Sequence, residues 1–154
     1  MDGVAVLPAW CRIVREIDAD LVAVFRSRPT IQRPEDAAAY LAPRLGQEEV
    51  EVFAVLLLDA QHRVIALQEV TRGLVNSTLV HPREVFRIAI AMGAVAIVLA
   101  HNHPSGVLTP SAEDRAVTTQ LVAAGRLLDI PVHDHIIVGL DPTAFTSFAA
   151  SGLL

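Results

Sequence analysis

Lysine is missing from all 154 residues, so the twelve basic side chains are all arginine, and chemistry that runs through a lysine Schiff base is excluded. Acidic residues outnumber basic ones, 17 to 12, for a formal net charge of −5. A net acidic chain makes a poor non-specific binder of nucleic acid, because neutralising phosphates with clustered basic side chains supplies most of that affinity. The densest basic stretch, Arg26, Arg28 and Arg33, is small and reads as a solvated face. Cys11 is the only cysteine, which rules out an internal disulfide and agrees with a reducing compartment. The longest uncharged apolar run, Ile88 to Ala100, is too short to cross a bilayer of about 30 Å as a helix, and Gly93 breaks it. No basic segment leading into an apolar one follows Met1-Asp2-Gly3-Val4, so no export signal is expected and the expected location is the cytoplasm.

Apolar residues make up 53% of the chain and charged residues 19%, enough for one compact domain without staples. Trp10, Ile13, Val14, Ile17, Leu21, Val24 and Phe25 recur at helical spacing over Leu7–Phe25. Pro34-Glu35-Asp36 suits the start of a short helix over Ala37–Leu45, ended by Gly46. Residues 1–46 are therefore expected to form a short helical segment packed on the domain, and 47–154 the domain itself. Val50–Leu58 reads as a strand buried on both faces, with Asp59-Ala60-Gln61-His62 as a turn and Arg63–Val70 as its hairpin partner. Pro82 opens a helix that runs to Gly93, Ala94–Ala100 is a central strand, and Ser111 caps a helix to about Leu128. Pro131–Gly139 is a last strand. Helices alternating with buried strands give an α/β sandwich with a mixed central sheet flanked by helices.

The stretch that carries chemistry is His101-Asn102-His103-Pro104-Ser105-Gly106-Val107-Leu108-Thr109-Pro110-Ser111-Ala112-Glu113-Asp114. Histidines two apart at a strand end project to the same side, so both imidazoles can reach one ion. Asp114, returned by the loop and the first helical turn, offers a carboxylate as third ligand. Three protein ligands with a fourth position open to water describe a catalytic zinc, one per chain, rather than a structural one.

His-x-His, seven residues, Ser, two residues, Asp is the complete signature of the JAMM or MPN-plus metalloproteases, and the chain resembles that family. Three words narrow the resemblance to its RadC-like branch: Val80-His81-Pro82-Arg83-Glu84-Val85-Phe86, Ala100-His101-Asn102-His103-Pro104-Ser105-Gly106, and Asp134-His135-Ile136-Ile137-Val138-Gly139. The resemblance covers roughly Arg33 to the C-terminus. It implies the MPN sandwich, similar to that of cytidine deaminases, and hydrolysis of an amide bond in a peptide or isopeptide-linked protein. It also implies a glutamate on an early strand as general acid and base. Glu51 matches that place, with Glu48, Glu49 and, less closely, Glu69 as alternatives. Ser111 stands where the family's serine donates a hydrogen bond to the oxyanion.

His62 and His81 read as a turn residue and a helix-start residue. His133 and His135 share the two-residue spacing but lack an acidic or thiol partner, so Asp134-His135 reads as packing or support for the first ligands. Asn102 and Ser105 read as loop-shaping. Two other functions compete. One is a DNA-repair-associated protein acting on or at DNA, which the charge and the missing lysine oppose; the other is a non-catalytic MPN scaffold, which the intact ligand set opposes. No membrane or nucleic-acid partner is expected.

Overall fold

The computed structural model describes residues 27–73 and 80–154; the helix expected over Leu7–Phe25 lies outside them. Every residue of the first strand, β1 (Val52–Leu58), is buried, as an unbroken run of Val, Phe and Leu requires when both faces of a strand are covered. The turn after it is held by the Asp59 carboxylate, which accepts from the N–H groups of Gln61 and Arg63 at 2.8 and 2.9 Å, while His62 takes a φ of 57°. β2 (Val64–Arg72) returns antiparallel and runs two residues beyond the expected Val70. Arg72 at its end is tied to Glu48 and Glu69, each at 2.7 Å.

The sheet has five strands in the order β2-β1-β3-β4-β5, where β3 is Ala96–Asn102, β4 is Val132–Val138 and β5 is Phe145–Ser147. β3 and β4 are parallel and the other pairs antiparallel, so the sheet is mixed, as expected. β5 is an addition to the expected pattern: at three residues it is too short to display an alternating period.

Three helices among the described residues cover the sheet. α1 (Pro34–Leu45) packs on one face, where Leu41 and Ala38 meet Ala54, Leu56, Leu58, Val98 and Ala100. α2 (Pro82–Ala91) and α3 (Ala112–Leu128) cover the other, with Val85, Phe86, Val117 and Leu121 against Phe53, Val55, Leu57, Ile97 and Leu99. The two sets alternate along β1 and β3, the period-two signature of strands between two apolar layers. Fully buried leucines such as Leu41, Leu56 and Leu121 each contribute about 1.5–3 kcal/mol by leaving water. None of the described helices is long and apolar enough to cross a membrane.

One displacement matters for the site. The central strand was expected over Ala94–Ala100, but Ala94 and Val95 belong to the turn, bonded to the Ala89 and Leu58 carbonyls, and β3 instead runs on to Asn102. His101 therefore lies inside the sheet, paired with Phe53 on one side and Ile137 on the other.

Candidate metal centre

His101 projects from β3 to the α3 side, fully buried, and His103 follows on the same side just past the strand end. Asp114 comes from the first turn of α3, and one ligand atom from each of the three lies within 4.8 Å of the others. The Asp114 carboxylate is oriented by a capping box: the Ser111 N–H donates to Oδ2 at 2.7 Å, and the Asp114 N–H donates to the Ser111 hydroxyl oxygen at 3.0 Å. That leaves Oδ1 facing His101 Nε2 at 3.2 Å.

A chain of buried hydrogen bonds decides which imidazole nitrogens carry protons. Thr118 Oγ1 has one proton and donates it to the Asp114 carbonyl at 2.6 Å, since a carbonyl can only accept. His135 Nδ1, also 2.6 Å from that hydroxyl oxygen, must then be the donor. His135 is fully buried, and burial pushes its pKa well down, so it is neutral and its Nε2 is an acceptor. His101 Nδ1, 2.8 Å away, donates to it. In a neutral His101 ring Nε2 is then a bare lone pair. His103 Nδ1 donates to the Val107 carbonyl, which leaves His103 Nε2 bare as well.

Two bare Nε2 atoms thus stand 2.9 Å apart beside a buried carboxylate. Lone pairs at that distance repel unless a cation lies among them, and two imidazoles with one carboxylate are a donor set that suits zinc. A proton can answer the same need: the Asp114 carboxylate raises the His103 pKa against the effect of burial, with the Val107 carbonyl and Glu51 carboxylate adding to it. Burial pushes the Asp114 pKa up, but the His101 and His103 imidazoles beside it favour the ionised carboxylate, outweigh burial and hold the carboxyl far below its ordinary range. The residues fit a metal.

Two phenylalanines pack on the buried imidazoles. The Phe53 ring stacks on His101 at 6.2 Å between centroids, and Phe148 stacks on His135 at 4.5 Å. Asp134 holds Phe148 in place by accepting from the Ser147 hydroxyl at 2.6 Å and the Ala149 N–H at 2.9 Å. Support from Asp134-His135 was legible in the sequence; Thr118 was not singled out, and its only signal is its place one helical turn after Asp114.

Glu51 lies just ahead of β1, not within it, and its charge reaches His103. Two of its alternatives are engaged elsewhere, since the Glu48 and Glu69 carboxylates both bind Arg72. Ser111 is exposed, and its hydroxyl oxygen accepts from the Asp114 N–H. His133 lies away from the centre, edge-on to His62 at 5.0 Å in a cavity of about 280 Å³ that Arg33 also lines.

The family model for the RadC-like JAB domain matches residues 31–153. The chain is similar to a UPF0758 protein of Delftia acidovorans, 52% identical over 129 residues that cover 84% of this chain and 56% of the relative. Relatives carrying the same name in Leptothrix cholodnii and Thioalkalivibrio sulfidiphilus are 46% and 51% identical, covering 87% and 79% of this chain and 60% and 53% of their own. The chain therefore spans a little over half the length of the curated relatives it matches.

Proposed function

The chain belongs to the RadC-like JAB domain family, and from that premise we propose that it is a zinc-dependent hydrolase of amide bonds in a peptide or isopeptide-linked protein. The JAB/MPN family includes metalloproteases. The observation that carries the reading is the pair of Nε2 atoms converging with Asp114, a trio of donors that would hold one ion. His101, His103 and Asp114 would hold a zinc ion, which would supply Lewis-acid activation of water and of the substrate carbonyl.

The chain's own groups do the rest. Glu51 takes a proton from the attacking water and returns it to the leaving amine, work worth about 10²–10⁴-fold. Ser111 directs its hydroxyl proton at the carbonyl oxygen as negative charge develops there, while its oxygen stays on the Asp114 N–H. Phe53 and Phe148 keep water from the buried imidazoles, so that a single protonation pattern persists.

The test is elemental analysis joined to a panel of peptides and isopeptide-linked conjugates, with duplex DNA as a comparison substrate. About one zinc per chain is expected, lost in His103→Ala, with amide cleavage that Glu51→Gln abolishes while its zinc remains. Cleavage of DNA but not amides, or undiminished amide cleavage by a zinc-loaded Glu51→Gln protein, would refute the proposal.

A further inference from the structure

Between the two histidines stands Asn102, and we propose that it is a positioning residue that sets where the Glu51 carboxylate stands relative to the metal ligands. This rests on the reading of Glu51 as the proton carrier. Asn102 is 1% exposed. Its Oδ1 accepts from the Val52 N–H at 2.7 Å, and its Nδ2 donates to the Val50 carbonyl at 2.9 Å and the Glu48 carbonyl at 3.3 Å. Val50 and Val52 flank Glu51, so one side-chain amide grips the backbone on both sides of it.

The topology explains why a side chain is needed there. The ladder between β1 and β3 ends at the pair Phe53–His101. Beyond it the Val52 N–H donates to the Asn102 side chain, while the His103 N–H donates to the Val138 carbonyl on β4 at 2.9 Å. The Asn102 amide, with an acceptor and a donor side by side, stands in for the missing strand backbone. From the β2 side, the Gly73 N–H donates to the Glu51 carbonyl at 2.8 Å.

Alternation does the rest. Asn102 points to the face opposite His101 and His103, while Glu51, sharing the parity of Phe53, is turned toward theirs. The segment that presents two candidate ligands thus also holds the backbone on both sides of the proposed base, through the hydrogen bonds of Asn102 with Val50 and Val52. Aspartate keeps the acceptor and loses the donor; alanine loses both.

The experiment needs no substrate. Asn102→Ala and Asn102→Asp are made in the native and Glu51→Gln backgrounds and loaded with Co²⁺, whose visible spectrum reports the surroundings of the ion at fixed pH. Amide exchange at Val52 is followed without metal. Asn102→Ala is expected to speed Val52 exchange at least about tenfold and to shift the cobalt spectrum toward that of Glu51→Gln. Adding it to Glu51→Gln should change the spectrum no further, and Asn102→Asp should give a smaller shift of the same kind. Should the alanine variant fail to fold, the aspartate variant carries the same comparison. Equal spectral changes in both backgrounds, no spectral change despite faster exchange, or a Glu51→Gln spectrum identical to the native one would each overturn the proposal. A non-additive cycle in a protein that cleaves no amide would support the positioning role and refute the hydrolase reading, so the two failures are distinct.

Discussion

Replacing Thr118 by valine removes one hydroxyl from the interior and tests the whole proton pattern at the centre. The side chain is fully buried, donates to the Asp114 carbonyl and accepts from His135 Nδ1. Valine keeps nearly the same shape but offers His135 no acceptor. An unsatisfied buried N–H costs about 1–3 kcal/mol. The imidazole can avoid that cost by moving its proton to Nε2, where it faces His101 Nδ1, 2.8 Å away. His101 must then carry its own proton on Nε2, the nitrogen that faces Asp114, and it ceases to be a ligand. Metal binding has to reverse the switch, so its affinity is expected to fall about 10–100-fold, the usual effect of losing a group that orients a ligand. Thr118→Ser, which restores the hydroxyl, should recover most of it. Competition for Zn²⁺ against a chromophoric chelator measures the affinity, and imidazole ¹⁵N shifts of the metal-free protein report the tautomers. A folded Thr118→Val protein with native zinc affinity and His135 still protonated on Nδ1 would refute the reasoning.

Two further substitutions probe the mouth of the site and the far cavity. Ser111→Ala removes the cap of α3 and should cost about 1 kcal/mol, or about 2–4 °C in melting temperature, while lowering kcat by about 10²–10³-fold with metal retained; thermal melts alongside kinetics on a cleaved peptide separate the effects, and unchanged kcat would dismiss the oxyanion role. His133 should titrate below 6.5 by NMR, because burial and then the neighbouring His62 disfavour its charged form. With the folded pKa depressed, this residue's contribution to stability is present above 6.5 and is lost as pH falls through the folded value, where the unfolded chain holds more protons. His62→Gln should raise the midpoint only part of the way, since burial is the larger cause, and a His133 midpoint at or above 6.5 in the native protein would contradict the packing described.

The elements legible in the sequence were those with strong periodicity or distinct punctuation. β1 announced itself as an unbroken apolar run and α3 by its serine cap and early acids, and both lie within two residues of expectation. The convergence of His101, His103 and Asp114 was legible because their spacing is local: two imidazoles at one strand end and a carboxylate in the first turn of the next helix. What escaped was set by tertiary contact. β5 exists because Asp134 and β4 capture a three-residue segment. Thr118 is one polar residue among several on α3, and only the parallel pairing of β3 with β4 brings His135 between it and His101. Asn102 reads as a loop residue until the end of the β1–β3 ladder shows which bonds it replaces.

The ligand geometry and the fold depend on the same bonds, which limits how the site can vary. Ser111 and Asp114 cap α3 with the contacts that aim the carboxylate at His101. Thr118 spans a helical turn and reaches across to β4 with one hydroxyl. The β3–α3–β4 crossover therefore supplies two candidate ligands from the strand and its end, one from the helix start, and from the second strand the imidazole that bonds His101. A change that loosens the crossover also moves the donors apart, and a change to a donor leaves buried polar groups of the crossover unpaired. Binding a cation at this point adds stability to the crossover as a whole, since the converged donors exist only when it is formed. Glu51 belongs to neither strand nor helix of that unit and lies just ahead of β1, so in our proposal its placement depends on a separate device, the Asn102 amide.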